Sequence, residues 1–473
     1  MMPTDTTTID SVFRSQQETA VKFRTLPVTK RKEKLRRLHR WILDNRSRIH
    51  AAVHADFQKP EQEIDSTDIY PITAEINHTL SHIDEWAAPR KVDAPLTLLG
   101  TSSEVRLEPR GVCLIIAPWN FPFNLAVGPL VPCLAAGNTA IIKPSEITPN
   151  TAALVVEMMK ELFPPEEVAV FEGGPEMSTT LLSYPFDHIF FTGSPGVGKI
   201  VMRAAAEHLT SVSLELGGKS PTIVHSDADA YHSARRIAFS KFLNNGQTCI
   251  APDHVFVHEQ IREKFLGYLK KEVLRMFGDR TAVRRDGPAY GRISSPKHFD
   301  RLATMADDAA THGWETLLSG PRDRDSRFFH PTILTGTNRK AMVMQEEVFG
   351  PLLPVIAYTD LDEVIREINR APKALAVYVF TGSRRTADTV ANKTSSGSFC
   401  HNECIAQFIH PNLPFGGVNN SGSGKSHGYA GYLAFSNEKP FLKQRTGFAT
   451  TYLFQPPYPP YFRKIIDILL RWF

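Results

Sequence analysis

Cys249 closes the run Asn245-Gly246-Gln247-Thr248-Cys249, a polar turn that follows a helical pattern. A cysteine in such a loop is placed for access. As a thiolate it is a nucleophile, although an ordinary thiol with a pKa near ~8.5 needs help to ionise. Alone it reads equally as a chance surface thiol. Glu215 begins Glu215-Leu216-Gly217-Gly218-Lys219 at the end of a strand-like run. A glutamate there can project into a cleft and act as a general base toward water, while the glycine pair lets the backbone approach a ligand. Asn120, in Pro118-Trp119-Asn120-Phe121-Pro122, offers an amide donor that can steady an oxyanion, on a loop stiffened by two prolines. None of the three is strong by itself. A cysteine, a carboxylate and an amide donor on three strand-end loops make one consistent site for nucleophilic catalysis.

Four further segments bear on ligands. Phe191-Thr192-Gly193-Ser194-Pro195-Gly196-Val197-Gly198-Lys199-Ile200 reads as a phosphate cradle opening a helix. Ile200 stands where a P-loop needs Ser or Thr for magnesium, and Val201 where the dinucleotide fingerprint needs its last glycine. Lys143-Pro144-Ser145-Glu146 can hold ribose hydroxyls or simply make a capped turn. Glu346-Glu347-Val348-Phe349-Gly350-Pro351 can clamp a ribose and a nicotinamide. Cys400-His401-Asn402-Glu403-Cys404 has the residue types of metal ligands but no second pair, so no metal is expected there.

These loops need elements to hold them. Apolar runs at Val112 to Ala117, Thr139 to Ile142, Val168 to Phe171 and His188 to Phe191 alternate with helical patterns at Asn124 to Ala136, Asn150 to Leu162 and Val197 to His208. The alternation restarts with strands at Thr222 to Val224, Val255 to His258 and Ala374 to Phe380 and helices at Asp229 to Leu243 and Gln260 to Met276. Two alternating halves predict two α/β units with parallel sheets, a nucleotide sitting at the carboxyl ends of one. Before them, Thr29 to Glu85 reads as helical and Val92 to Leu107 as a short hairpin.

Composition sets bounds. A chain of 473 residues with a formal charge of +4 and 42% hydrophobic residues is an ordinary folded protein of two or three units. The basic run Lys30 to Arg37 lies on one face of an amphipathic pattern with Leu35, Leu38 and Ile42, and it lacks the aromatic interleaving of a nucleic-acid surface. The 5 cysteines are irregularly spaced, as in a reducing compartment. Met1 to Asp10 lacks the apolar segment of a signal peptide, so a cytoplasmic location is expected. At the far end, Phe462, Ile465, Ile466, Leu469, Leu470 and Phe473 share one helical face, opposite Arg463, Lys464, Asp467 and Arg471. At about 1.5 Å per residue this helix spans ~18 Å, too short to cross a bilayer. It can pack on its own body, cover a partner subunit or lie on a membrane surface.

In this order, PWNFP at Pro118, KPSE at Lys143, FTGS at Phe191, ELGGK at Glu215, GQTC at Gly246 and EEVFGP at Glu346 resemble the aldehyde dehydrogenase superfamily over nearly the whole chain. Gly246 to Val255 and the segment around Phe415 look most like the class 3 branch, which includes the fatty aldehyde dehydrogenases. The resemblance implies a Rossmann-like cofactor domain, an α/β catalytic domain and a small β oligomerisation flap. On the chain these become residues 1–215 (with 88–108 joining the flap), a catalytic domain at 216–398, a bridging and oligomerisation segment at 399–440, and a tail at 441–473.

It further implies a homodimer that oxidises a small-molecule aldehyde with NAD or NADP, for a medium- or long-chain aliphatic or an aromatic substrate. Carried over by motif, Cys249 is the nucleophile and Glu215 the base, and Asn120 forms the oxyanion hole with the Cys249 N–H. Lys143 and Glu146 meet the adenosine ribose, Gly193 and Ser194 the pyrophosphate, and Glu347 and Phe349 the nicotinamide ribose. A CoA-acylating relative would typically lack the base at Glu215, and a catalytically dead relative would lack the set. The chain departs from the class 3 pattern at Pro195, Asn419, Ser426 and Tyr429. These positions lie away from Cys249 in sequence and are expected to leave its chemistry intact.

Overall fold

The computed structural model describes residues 6–278, 287, 289–447, 449–458 and 460–472. Its two large sheets are built by the two alternating halves of the sequence. The first has the order 422–423, 211–216, 188–193, 112–116, 139–143, 168–170. Its strands run parallel except for the two-residue edge Gly422–Ser423. Val112–Ile116 and Thr139–Lys143 are buried along their whole length, as expected for strands covered on both faces. The chain runs from 112–116 outward through 139–143 to 168–170, then returns to lay 188–193 on the other side of 112–116. That reversal opens a crevice at the carboxyl ends of 112–116 and 188–193.

The second sheet has the order 315–318, 332–335, 352–358, 254–258, 221–224, 376–380, 398–401, parallel apart from the edge Glu315–Leu318. Leu352–Tyr358 and Thr332–Thr335 lie within it although no alternation marks them in the sequence, and both are almost fully buried. Helices Ala230–Phe242 and Arg262–Phe277 pack together on one face around Ile237, Phe265 and Leu269.

Two expectations need adjustment. The helical pattern from Asn124 to Ala136 is two helices, Pro122–Val127 and Leu130–Ala136, because Pro129 has no N–H to give and its ring opposes the preceding turn. The hairpin of Arg90–Val92 with Thr101–Pro109 gains a third strand, Ser436–Gln444, paired along nine positions of 101–109. The segment 399–440 therefore does more than bridge. It supplies most of Ser398–His401 to the second sheet and Gly422–Ser423 to the first, and begins the third strand of the small sheet. The tail helix is Phe462–Trp472; the predicted end at Phe473 lies outside the described residues.

Candidate active site

Helix Ala230–Phe242 ends at Leu243, and the chain then turns through Asn244 and Asn245 at φ 51° and 54° and Gly246 at φ 73°. Asparagine tolerates this left-handed region better than most residues. Gly246 is required for a second reason: a Cβ there would stand 2.2 Å from the Gly350 carbonyl oxygen. The turn is pinned from within by Gln247, whose Nε2 donates to the Asn244 and Arg292 carbonyls at 3.0 and 3.1 Å and whose Oε1 accepts the Ser294 N–H at 2.9 Å. Cys249 follows, half-buried, at a meeting point of three cavities.

The first cavity, of about 230 Å³, lies at the sheet crevice and is lined by Trp119, Asn120, Gly193, Ser194, Glu347 and Phe349 with Glu215 and Cys249. The second, of about 640 Å³, has mainly apolar walls of Phe121, Leu125, Phe239, Ile250, Met276 and Phe408 beside Cys249, and its lining also includes Arg235, Arg236, Arg275 and Glu403. The third, of about 80 Å³, is a side chamber shared by Glu215, Cys249, Glu75, Ser426 and His427.

Asn120 is buried, and its Nδ2 donates to the Gln247 carbonyl at 3.0 Å while its own carbonyl accepts from Asn244 Nδ2 at 2.7 Å. An amide nitrogen carries two protons, so one remains for the cavity. Glu215 lies one residue before the end of strand Ser211–Leu216 at 7% exposure. Burial pushes its carboxyl up to about 8, against the opposing pull of the Ser426 hydroxyl and the Lys425 ammonium. The Cys249 thiol is pushed up to about 12, by burial first and then by the Glu347 and Glu215 carboxylates, while the backbone N–H groups of Cys249 and Ile250 act the other way.

On the crevice side, Ser194 caps helix Pro195–Ala206, its Oγ accepting the Val197 N–H at 3.4 Å. Pro195 sits in the first turn, where a missing N–H costs no helical bond. Gly198, which gives the loop its P-loop look, is there for packing: a Cβ would meet the Leu216 side chain at 2.7 Å. Glu347 accepts the Gly218 N–H at 3.0 Å and rises to about 7 through burial, and a Cβ on Gly217 would strike its carboxylate at 2.4 Å. Phe349 holds φ 43° and meets Trp119 edge-on at 5.3 Å.

Glu347 and Phe349 are held by groups that the sequence does not point to. Arg301 donates to the Glu347 and Val348 carbonyls at 3.3 and 2.6 Å, and Asp253, paired with Lys219, accepts the Val348 N–H at 2.8 Å. Nothing in their spacing marks Arg301 or Asp253. A helix N-terminus at the reversal point, a carboxylate on a glycine-rich turn and a cavity continuous with Cys249 together fit a nicotinamide dinucleotide.

Lys143 and Glu146 stand apart from this cavity. They pair at 2.7 Å at the end of the neighbouring strand, where the Lys143 carbonyl accepts the Ala117 N–H at 3.0 Å. Cys400 donates to Gln407 Oε1 at 3.0 Å and Cys404 is buried in the second core, beside the large cavity. Of the departures from the class 3 pattern, Asn419 takes φ 52°, a conformation that explains why asparagine replaces glycine there. Ser426 is not remote from the chemistry in space: its Oγ donates to Glu215 Oε1 at 3.0 Å.

The sequence model of the aldehyde dehydrogenase family matches residues 2–441. The 4,4'-diaponeurosporen-aldehyde dehydrogenase of Staphylococcus aureus is 39% identical, over 96% of this chain and 96% of that protein. Aldehyde dehydrogenase family 3 member B2 of the mouse is 37% identical, over 97% of this chain and 94% of its own. The substrate-bound structure of Staphylococcus aureus AldH superposes with a TM-score of 0.92 at 38% identity, covering 98% of this chain and 99% of that one.

Proposed function

The chain belongs to the aldehyde dehydrogenase family and oxidises an aldehyde with NAD(P), and on that premise we propose how its residues divide the work. The observation that carries the reading is that, among the described residues, Cys249 is the one that borders both the crevice and the large, mainly apolar cavity, with Glu215 beside it. The substrate enters along the apolar cavity. Once the Cys249 thiol has given up its proton to solvent, the thiolate adds to the carbonyl carbon, and the second Asn120 Nδ2 proton with the Cys249 N–H holds the oxyanion of the resulting thiohemiacetal. Bound NAD(P)+ supplies the hydride acceptor. Glu347 and Phe349 orient the nicotinamide ribose, Gly193 and Ser194 meet the pyrophosphate, and Lys143 and Glu146 the adenosine ribose. Glu215 then takes a proton from water as it attacks the thioester, releasing the acid and restoring Cys249. In this scheme residues 1–215 form the cofactor domain and 216–398 the catalytic domain.

A medium- or long-chain aliphatic or an aromatic aldehyde fits the apolar cavity, whose volume of about 640 Å³ exceeds what a two-carbon substrate needs. The S. aureus relative is named a 4,4'-diaponeurosporen-aldehyde dehydrogenase, which supports an aldehyde larger than two carbons. A homodimer is supported by the exposed edge strand Ser436–Gln444, which leaves one row of backbone groups for another chain. No helix among the described residues is long and apolar enough to cross a membrane, and the tail helix is proposed to cover a partner subunit or rest on a membrane surface.

The test is NAD(P)H formation with short and long aldehydes for the wild type, Cys249→Ala and Glu215→Gln. Loss of all reduction in Cys249→Ala and a single burst in Glu215→Gln are expected. Steady turnover in Cys249→Ala, or equal kcat/KM for acetaldehyde and a long-chain aldehyde, would remove the corresponding assignment.

A further inference from the structure

Glu215 has two oxygens in different surroundings. Oε1 accepts from Ser426 Oγ at 3.0 Å, and Oε2 is buried with no hydrogen-bond partner among the described residues. Ser426 is itself almost fully buried and tightly placed. Residues 415 and 426 exchange backbone hydrogen bonds at 3.1 and 2.7 Å, Lys425 Nζ is held on the Gly416 carbonyl at 2.5 Å, and Gly422 pairs with Glu215 across the sheet edge. Gly416 approaches so near that a Cβ there would stand 3.1 Å from Glu215 Oε1. The Ser426 hydroxyl has a second acceptor in the Phe415 carbonyl at 3.2 Å.

Building on the assignment of Glu215 as base, we propose that Ser426 is its positioning residue, anchoring Oε1 so that Oε2 is the atom presented to the hydrolytic water. The hydroxyl carries one proton and two lone pairs. While Glu215 is ionised, that proton goes to Oε1, the nearer and charged acceptor. Once Oε2 has taken a proton from water, Oε1 is the carbonyl oxygen of the acid and still accepts from Ser426. The same hydroxyl thus anchors the carboxyl before and after the transfer.

The charged and titratable groups around Glu215 are Lys425, Cys249, Glu347 on the crevice side, and Glu75 and His427 in the side chamber. Glu75 is fixed by accepting the Gly428 N–H at 2.8 Å, and burial pushes it up to about 7. His427 is stacked on Phe415 and is held neutral, lowered to about 4 by burial. Among the described residues, the Ser426 hydroxyl is the side-chain group that hydrogen-bonds the carboxylate.

The experiment compares Ser426→Ala and Ser426→Thr with the wild type and Glu215→Gln. Burst and steady-state NAD(P)H formation are followed across pH. Ser426→Ala is expected to keep the burst rate and amplitude. Its steady-state turnover should fall about tenfold, as for loss of a charge-assisted hydrogen bond. Its acidic limb should move up by roughly one pH unit, since a donor that favoured the carboxylate is gone. Ser426→Thr, which keeps the hydroxyl, should restore the limb. A burst that falls together with turnover in Ser426→Ala, or a limb that does not move, overturns the positioning role. If Glu215→Gln turns over without a burst, the assignment of the base fails instead, and the two failures are told apart.

Discussion

Asn120 and Gln247 join the two halves of the site: the side-chain amide of one donates at 3.0 Å to the main-chain carbonyl of the other, only two residues before the nucleophile. The loop after the first strand of one sheet and the loop that carries Cys249 are thereby fixed to each other. Asn120→Ala removes both this link and the free amide proton. It should slow the burst about 10²–10³-fold, the cost typical of a lost oxyanion donor. Rapid-mixing fluorescence of NAD(P)H would show this, and an unaltered burst would exclude the role.

The carboxyl of Glu215 is raised to about 8, so a base in that position is mostly ionised only above that pH. Steady-state turnover should therefore climb with pH and level off above about 8, while the burst follows a different profile. The linkage has an opposite sign for stability. A carboxyl whose folded pKa lies above its unfolded value of 4.5 stabilises the fold most below 4.5, and that contribution is lost as pH rises toward 8. Glu215→Gln should consequently raise the melting temperature relative to the wild type more at pH 8 than at pH 5, by calorimetry at both.

Burial and two carboxylates hold the Cys249 thiol protonated in the free protein. Alkylation by iodoacetamide should be slow at neutral pH and accelerate steadily through the alkaline range. Glu347→Gln, which takes away the larger of the two carboxylate effects, should hasten it. Peptide mapping identifies the modified residue, and an unchanged rate in Glu347→Gln would show that the charge does not reach the sulfur.

Gly246→Ala combines a left-handed backbone with a Cβ set 2.2 Å from the Gly350 oxygen. A loss of about 1–3 kcal/mol is expected from overpacking alone, and the number of burst-competent sites should fall with it. Urea unfolding and active-site titration read the two effects.

Removing 462–473 takes away the amphipathic helix without touching either sheet. Burst kinetics with a short aldehyde should be unchanged, whereas the preference for long-chain over short aldehydes, or binding to anionic vesicles, should drop. Loss of folding on truncation would show instead that the helix is part of the core.

Much of this was legible beforehand where burial and local geometry leave a local signature. Val112–Ile116 and Thr139–Lys143 are continuous apolar runs because both faces are covered. The positive φ at Gly246 leaves a glycine where a turn is needed. Leu352–Tyr358 was hidden because its Pro354 and the Gly-Pro turn before it read as a break, yet the strand is buried through its pairing with 254–258 and 332–335. In the sequence Ser426 stands out only as a departure far from Cys249, since its relation to Glu215 is a hydrogen bond between residues 211 apart. Arg301 acts through main-chain carbonyls, which leave no trace in residue type.

The strand Ser436–Gln444 and the edge Gly422–Ser423 close sheets whose other strands were made much earlier in the chain. A polypeptide emerging from the ribosome meets the nucleophile, the base and the amide donor long before it meets Ser426. Until those late residues arrive, the small sheet lacks its longest pairing and Glu215 lacks its anchor. Contacts of such sequence separation form late. The base is thus anchored by a residue that the chain supplies only after the amide donor, the base and the nucleophile have all been made.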